Sequence, residues 1–321
     1  MKRRMRNEAL KAWAILFLVG GLNLDLRAQD IAVSSSASSA QSEAGQDTNT
    51  FSAYLLSARS DAEKGSLEEA FQQLEKAIDK GAGRDLVYYD PAFKELKAKY
   101  ASELDVLLQR QYQQQYPTAG KAEIGYKIWS WYLDEEQELL PLKSMDQPPT
   151  ASQMELIREH REERRDALLD LIEQMGWPRN SEVGEKAGEA CFFLIQHSPP
   201  KILKKCLPLF IEVAMAGEAD KAKAALMVDR FLVNKEGLQI FGTQAGRSAN
   251  SGEGLSQQKL TLYPIADESN LAQRRKVLGL PAIEEYCKQL KVDYVPIEER
   301  PDYEPIKLKE KWRKKGYLLG T

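Results

Sequence analysis

Two titratable side chains lie where helical periodicity calls for apolar residues. His197, one of two histidines in 321 residues, ends the run CFFLIQH, and Asp229 falls within the segment ADKAKAALMVDRFLVNKEG. A stripe with spacings of four, three, four and three leads to His197 and comprises Val183, Ala187, Ala190 and Leu194. This stripe is one face of a helix with 3.6 residues per turn. The pattern therefore predicts that His197 lies on the buried side.

A carboxylate on a buried helix face must be paired or hydrogen-bonded, because its unpaired burial costs several kcal/mol. The partners that the sequence offers Asp229 are His197 and a cation such as Arg230, Arg274 or Arg275. We predict that Asp229 and His197 meet across adjacent helices. An imidazole that faces a carboxylate has its tautomer fixed and its basicity raised, as in a general base or in a donor that holds a ligand. A buried structural ion pair would give the same pattern, so both interpretations stay open.

The segment between Gly237 and Asp267 adds polar groups that suit ligand binding. Gly242 permits close approach of the backbone, and Thr243 and Gln244 supply hydrogen-bond donors and acceptors; a simple turn is the alternative. The residues predicted to bind a ligand, beside the hypothetical catalytic residues His197 and Asp229, are Trp177, Gln196, Arg230, Gln239, Thr243, Gln244, Asp267 and Arg275. Two histidines and three cysteines without a CxxC pair form no zinc pattern, so neither a metal nor another cofactor is expected.

Residues 51–112 have the pattern of a tetratricopeptide-like helical hairpin with its turn at Gly65. One face of the second predicted helix comprises Ala70, Leu74, Ala77 and Ile78. A single repeat cannot bury its own face, so the hairpin should pack on the helix that follows Asp90 and Pro91. A peptide-binding groove is one interpretation of this hairpin. A structural cap is the other, and a single repeat favours it.

Residues 120–287 are predicted to form a second, helical domain that positions the candidate site. Two helices form an antiparallel hairpin about Ser198 and Pro199, and the helix with Asp229 follows. Cys191 and Cys206 reach similar heights in this hairpin, either as a disulfide or as two buried thiols. QIFGTQ and KLTLYPI are short and partly β-branched, which predicts a small β-hairpin or an ordered loop. The expected fold class is mainly α: a helical hairpin followed by a helical domain.

The two ends of the chain are expected to lie outside the folded domains. Residues 1–28 combine six basic side chains with the apolar run AWAILFLVGGL, which is typical of a secretory signal peptide. Residues 29–50 form a Ser- and Ala-rich flexible linker, and residues 288–321 form a C-terminal extension. We therefore expect export to the periplasm or the medium, without a stable membrane span after cleavage. A net charge of −3 gives no sign of a nucleic-acid partner.

An ordered set of short motifs in residues 120–287 resembles an uncharacterised bacterial domain-of-unknown-function family, six-six-two-four in its series. The motifs are Gly176-Trp177-Pro178, Ser181 with Gly184, Ile195-Gln196-His197, Cys206-Leu207, Asp229-Arg230, Gln239 with Phe241 to Gln244, Pro264-Ile265 with Asp267, Arg274-Arg275 with Gly279-Leu280, and Glu285-Tyr286. The resemblance implies no established activity. Family members tend to read QHAD where this chain has Gln196-His197-Ser198-Pro199, so an acid of the family pattern is missing.

Two classes of function follow from these patterns. The first is an exported helical binding or scaffold protein with a polar pocket around His197 and Asp229, which would take an unknown peptide, protein or small polar ligand. The alternative is a hydrolase or lyase with His197 as general base, Asp229 as its orienting group and Arg230 as an anion clamp. No nucleophile motif, phosphate loop or metal set accompanies these residues, which favours binding over catalysis.

Overall fold

The computed structural model of the chain describes residues 50–143, 149–247, 260–292 and 312–318. The chain divides into two compact units. The described residues of unit 1 are 50–117, 130–143 and 149–162, and those of unit 2 are 118–129, 163–247, 260–292 and 312–318. The predicted signal peptide, nearly all of the linker and most of the C-terminal extension lie outside the described residues.

Unit 1 begins with the predicted helical hairpin. Helix α1 (Phe51–Glu63) and helix α2 (Leu67–Asp79) pack against each other across the turn at Gly65. The predicted inner face of α2 is buried, with Ala70, Leu74, Ala77 and Ile78 all fully inaccessible to solvent. This face drives the pairing, because burying each large aliphatic side chain contributes about 1.5–3 kcal/mol.

The helix predicted after Asp90 and Pro91 is divided into shorter elements. Helix α3 (Arg84–Tyr88) precedes it, a 3₁₀ turn spans Pro91–Phe93, and helices α4 (Lys94–Lys99) and α5 (Ala101–Gln115) follow. The break between α4 and α5 falls at Tyr100, whose ψ of 33° is not helical. The carboxylate of Asp90 accepts a hydrogen bond from the Ala92 amide at 3.0 Å, which caps the first turn.

Two long helices follow, and each contributes residues to both units. Helix α6 is Ala122–Lys143 and helix α7 is Ala151–Met175. Within unit 1, buried Glu135 on α6 accepts two hydrogen bonds from the Arg161 guanidinium on α7, at 2.9 and 2.7 Å. The same carboxylate is only one-tenth exposed, so this ion pair is screened less by solvent than the surface pairs along α7.

Unit 2 contains the helices that carry the candidate site. They are α8 (Asn180–Val183), α9 (Glu185–Gln196), α10 (Pro200–Met215) and α11 (Lys221–Glu236). Pro200 starts α10, Asp220 caps α11 through a 2.7 Å bond to the Ala222 amide, and Gly237 ends α11 in a left-handed conformation. Aromatic rings fill the core, with the Phe210 ring 4.4 Å from that of Trp177 and 5.7 Å from that of Phe192.

A small antiparallel pair of strands follows α11. The second strand lies within the predicted segment KLTLYPI, but the first begins at Ala245, just after the predicted segment QIFGTQ. Strand β1 (Ala245–Arg247) pairs with strand β2 (Leu260–Leu262), and an isolated bridge joins Gln239 to Ile265. A 3₁₀ turn (Glu268–Asn270) and helices α12 (Leu271–Val277) and α13 (Ile283–Leu290) come next. The mainly α fold with a minor β-hairpin is confirmed.

Two further properties of the chain bear on the alternatives left open by the sequence. Cys191 and Cys206 are both free thiols and both buried, and burial raises the pKa of Cys206 to about 11. The thiol alternative therefore describes this structure. Across the described ranges, no helix combines the length and apolar character that a membrane crossing requires.

The turn between α8 and α9 depends on a glycine, which gives a first testable prediction. Gly184 has φ 90° and ψ 150°, a region that is essentially restricted to glycine. We expect Gly184→Ala to lower the free energy of unfolding by about 1–3 kcal/mol. Urea unfolding followed by circular dichroism would measure this loss. Gly120→Ala is the matched control, since Gly120 lies in the same unit, does not have a left-handed φ and has open space at its Cβ position.

Candidate functional site

Asp229 on α11 is the centre of a buried hydrogen-bond network. Its side chain is fully inaccessible to solvent. One carboxylate oxygen accepts from the amides of Ile240 and Phe241 at 2.7 and 3.0 Å. The other accepts from the amide of Phe241 at 3.2 Å and from the amide and hydroxyl of Thr243 at 2.9 Å each. Burial raises the pKa of Asp229, and these donors act in the opposite direction.

The hydrogen bonds to Asp229 hold the loop that follows α11 in one conformation. The side chain of Gln239 makes further hydrogen bonds to the backbone of this loop. The side-chain amide of Gln239 donates to the carbonyl oxygens of Gln244 and Tyr263 at 2.9 and 2.7 Å. Its side-chain oxygen accepts from the Gln244 amide at 2.7 Å. Backbone groups that no strand or helix would satisfy are therefore paired with buried side chains, which removes the cost of leaving them without partners.

Two arginines on α12 donate hydrogen bonds to backbone carbonyl groups of this loop and its neighbouring segments. Arg274 donates through Nη2 to the carbonyl oxygens of Ile240, Ala266 and Asp267 at 2.9–3.0 Å, and through Nη1 to the Asp267 carboxylate at 3.0 Å. Arg275 donates to the carbonyl oxygens of Pro281 at 2.7 Å and of Phe241. Both side chains are 1 % exposed, so the guanidinium groups are structural parts of the loop.

The aromatic residue Tyr286 also contacts this network. The Tyr286 hydroxyl donates to the Thr243 carbonyl at 3.0 Å, and the Arg275 guanidinium lies 4.9 Å from the Tyr286 ring centroid. Burial raises the pKa of Tyr286 to about 12. A phenol with this pKa stays protonated at neutral pH, so it acts here as a donor and not as an acid.

His197 lies at the surface and contacts Arg230. It is the C-cap residue of α9, with φ −93° and ψ 7°, and it is exposed. The Nη1 atom of Arg230 lies 3.2 Å from the Nδ1 atom of His197. A guanidinium can only donate, so Nδ1 is the acceptor and the ring proton of the neutral imidazole lies on Nε2.

The predicted contact between His197 and Asp229 is wrong. The groups that bind the Asp229 carboxylate are loop amides and the Thr243 hydroxyl, and His197 is not among them. The expected burial of His197 is wrong as well, because α9 ends at Gln196 and the helical face stops before His197. The dyad that the hydrolase alternative requires is therefore not formed.

Arg230 combines positive charge with partial burial. Burial lowers the pKa of its guanidinium to about 10, and the phenols of Tyr263 and Tyr286 act in the opposite direction. The group therefore remains charged at neutral pH. Tyr263 is half-buried, and burial raises the pKa of its phenol. Arg230, His197 and the two tyrosines thus place a cation and hydrogen-bond donors in one region of unit 2.

The other predicted ligand-binding residues lie mostly inside the protein. Trp177 is in the aromatic core, while Gln239, Thr243 and Arg275 belong to the loop network. Gln244 is half-buried, and its amide donates to Thr243 Oγ1 at 3.3 Å. A ligand would not reach the buried members of this set without opening the loop.

Asp267 is also part of the loop framework. It is a half-buried acceptor for Arg274 and Asn270, and it adopts a left-handed φ of 54°. This conformation is uncommon for a residue other than glycine, although Asp tolerates it better than most. Its carboxylate therefore positions the start of α12, and a ligand-binding role is not needed to explain it.

Gln196 and Ser198 precede and follow His197 in the chain. Both are buried polar residues, and they differ from the loop residues above in their hydrogen bonding. Gln196 is 3 % exposed and Ser198 is 7 % exposed. Within the described part of the chain, neither Gln196 Nε2 nor Ser198 Oγ has a hydrogen-bond partner. Folded proteins leave few buried polar atoms in this state.

Sequence reasoning missed the structural roles of Arg274, Tyr263 and Tyr286. Arg274 was named only as a partner for Asp229, and its charge is close enough to that of Asp229 to influence its own pKa. The adjacent pair Arg274-Arg275 gave no sign of burial by itself, since arginine side chains are mostly exposed. For the residues described, no group of three or more His, Cys, Asp and Glu side chains is arranged to hold a metal ion.

Comparison with known proteins gives one match. Residues 138–296 match the model of a family described as "Family of unknown function (DUF6624)". The resemblance inferred from the motifs is thereby confirmed for this part of the chain. No curated protein and no solved structure matches the chain.

Proposed function

We propose that this chain, whose residues 138–296 carry the match to a family of unknown function, is an exported helical binding protein. Its ligand site would be the surface formed by His197 and Arg230 in unit 2, and its ligand would present an oxyanion such as a carboxylate or phosphate group. The single observation that carries this proposal is the contact between Arg230 and His197 Nδ1, since it places a guanidinium cation beside an exposed imidazole.

The polar groups near the contact between Arg230 and His197 can all act as hydrogen-bond donors. The guanidinium of Arg230 has five N–H donors, and charge-assisted bonds from a guanidinium to an oxyanion are about twice as strong as neutral hydrogen bonds. The side-chain amide of Gln196 and the hydroxyl of Ser198 are donors too. Among the described residues, neither Gln196 Nε2 nor Ser198 Oγ has a hydrogen-bond partner. An oxyanion accepts hydrogen bonds and donates none, so it complements a site composed of donors.

Binding fits this geometry better than catalysis does. A general base needs a free lone pair directed at its substrate. The lone pair of His197 Nδ1 accepts from Arg230 instead, and Nε2 carries the proton. Asp229, the residue that would orient the base, is occupied by the loop amides. We therefore favour a donor role for His197 over the role of a base.

Export is a separate part of the proposal, and it is supported by the N-terminal sequence alone. The basic residues followed by an apolar run of eleven residues match a signal peptide in order and length. Intact mass and N-terminal sequencing of the protein secreted by an expressing cell would test it. A mature chain that begins near Gln29 supports export, and a full-length chain in the cytoplasm contradicts it.

The binding proposal predicts that Arg230 controls affinity for oxyanions. Titration of the isotope-labelled protein with inorganic phosphate and with acetate should give saturable shifts of the His197 ring and neighbouring amides. Arg230→Gln should weaken binding about tenfold, which corresponds to the loss of one charge-assisted bond of about 1.4 kcal/mol. Lys204→Gln removes one charge from an exposed position on α10 and should leave the affinity unchanged.

The affinities of these variants distinguish a specific oxyanion site from attraction by the net charge of the protein. Equal affinity in wild-type protein and Arg230→Gln would overturn the proposed site. Parallel losses in Arg230→Gln and Lys204→Gln would point to net charge alone and would also contradict it. His197→Phe, which removes both ring nitrogens at an exposed position, should weaken binding less than Arg230→Gln, because it removes a neutral donor and leaves the cation in place.

A further inference from the structure

A second candidate site lies at the other end of α9, and it is independent of the site at His197. A cleft of about 200 Å³ opens between α9, α10 and the start of α11. Its walls comprise Asn180, Glu185, Gly188, Glu189, Ala219, Asp220 and Lys223, and Phe192 and Phe210 lie at its apolar side. All these residues belong to unit 2.

The cleft has an excess of negative charge. Three carboxylates, those of Glu185, Glu189 and Asp220, face a single ammonium group, that of Lys223. Lys223 Nζ donates to Glu189 at 2.5 Å and lies 3.6 Å from Asp220. No hydrogen bond or ion pair joins the side chain of Glu185 to another residue that the structure describes. Glu185 therefore offers an unbalanced acceptor at the rim.

A glycine and an asparagine shape the interior of the cleft. Gly188 lies in mid-helix, and a Cβ atom at this position would be 2.1 Å from Asn180 Oδ1. The absence of a side chain at Gly188 is what allows the Asn180 amide to occupy this space. The Asn180 side chain makes no hydrogen bond to any other residue in the described ranges, so its oxygen is a second acceptor beside Glu185.

The apolar side of the cleft complements these acceptors. Phe192 and Phe210 pack with ring centroids 5.7 Å apart, and each is 1 % exposed, so only a small part of each ring borders the cleft. Aromatic rings accept methylene groups and attract ammonium groups through their π faces. The volume is below the roughly 300–1,000 Å³ of pockets for drug-sized ligands, so the occupant must be small.

We infer that this cleft binds a small organic cation, a primary ammonium group on a short aliphatic chain. The ammonium group would donate to the Glu185 carboxylate and to Asn180 Oδ1, and the chain would lie against Phe192 and Phe210.

The test uses n-pentylammonium as the probe and 1-pentanol and pentanoate as matched controls for the chain. Nuclear magnetic resonance titration of the labelled full-length protein should show saturable shifts of the amides of residues 180–193 with n-pentylammonium. A dissociation constant on the order of 1 mM is expected for a ligand of this size. Affinity for 1-pentanol should be at least about tenfold lower, and pentanoate should give no saturable shift.

Variants identify the groups responsible. Glu185→Gln keeps the shape of an exposed side chain and should weaken n-pentylammonium binding about three- to fivefold. Gly188→Ala should abolish it, because the new methyl group and the displaced Asn180 amide fill the cleft. The double variant Asn180→Ala with Gly188→Ala relieves the crowding but removes the Asn180 acceptor, so it should fold and bind n-pentylammonium more weakly than the wild-type protein does. Equal affinity in the double variant and the wild type would contradict the inferred site. Glu212→Gln, on the exposed side of α10, is the charge control.

Two results would overturn the inference. One is equal affinity for n-pentylammonium and 1-pentanol, since the carboxylates would then contribute nothing. The other is unsaturable shifts scattered over acidic surfaces, with Glu212→Gln and Glu185→Gln behaving alike. Neither result would bear on the oxyanion site, because phosphate binding depends on Arg230 and not on Glu185.

Discussion

Replacing Asp229 by alanine is expected to lower the free energy of unfolding by about 3–5 kcal/mol, the cost typical of breaking a buried charge network by removing one partner. The carboxylate accepts from three backbone amides and one hydroxyl, and its side chain is fully buried. Alanine would leave those four donors without an acceptor in a dry interior, and each costs about 1–3 kcal/mol when unsatisfied. Urea unfolding monitored by far-ultraviolet circular dichroism measures the difference.

Two companion variants make this prediction specific. Asp229→Asn keeps the shape but turns one acceptor oxygen into an amide that opposes a donor, so it should be destabilised by less than Asp229→Ala. Glu212→Ala, an exposed acid on α10, should change stability by no more than about 0.5 kcal/mol. If Asp229→Ala lost less than about 1 kcal/mol, the loop amides would have found other partners and the network would not hold the loop.

Replacing Asp229 should destabilise the loop that follows α11 more than it destabilises the rest of the protein. Amide hydrogen exchange at Ile240, Phe241 and Thr243 should become faster in Asp229→Asn, because these amides donate to the carboxylate in the native protein. Exchange in the helical hairpin of unit 1 should be unchanged. A functional role for Asp229 without a structural one predicts the opposite: protected loop amides and unaltered stability.

Helical periodicity predicted the hairpin and its buried face because packing of a helix depends mainly on which positions share a side. Ala70, Leu74, Ala77 and Ile78 are all fully buried. The same reasoning correctly marked Asp229 as a buried carboxylate that needs partners. Local alternation also predicted the second strand, within KLTLYPI, but it placed the first strand at QIFGTQ, whereas β1 is Ala245–Arg247.

The identity of the partners of Asp229 could not be obtained in this way. Helical periodicity concerns side chains, whereas the groups that bind Asp229 are mostly backbone amides of a loop without regular structure. Any residue except proline supplies such an amide, so its type carries no signal. The sequence therefore offered His197 as a partner because it is a titratable side chain, and the loop was overlooked.

The misplacement of His197 has a different physical cause. A helical wheel assigns a face only while the residue keeps helical geometry and a neighbour covers it. His197 follows the last residue of α9, and Ser198 and Pro199 redirect the chain immediately afterwards. At a helix end the side chain can reach solvent from any face of the wheel. Extrapolating a periodic stripe by one residue past the end therefore gave the wrong environment.

Arg274→Ala is expected to destabilise the protein by an amount similar to that of Asp229→Ala, about 3–5 kcal/mol. Arg274 is 1 % exposed and donates to three carbonyl oxygens and to the Asp267 carboxylate. Removing it leaves the half-buried Asp267 carboxylate without its cation and several carbonyl groups without donors. Asp229 and Arg274 hold the amide and carbonyl sides of one loop, so their losses should not add in the double variant.

Arg274→Lys separates the charge from the geometry of the guanidinium. Lysine keeps the positive charge near Asp267, but its compact ammonium group cannot reproduce a planar fork that reaches the carbonyl oxygens of Ile240, Ala266 and Asp267 together. We expect Arg274→Lys to recover less than half of the stability that Arg274→Ala loses. Lys276→Ala, on the exposed side of the same helix, should have almost no effect. Full recovery by lysine would contradict the carbonyl-binding role, because charge alone would then explain the stability that Arg274 provides.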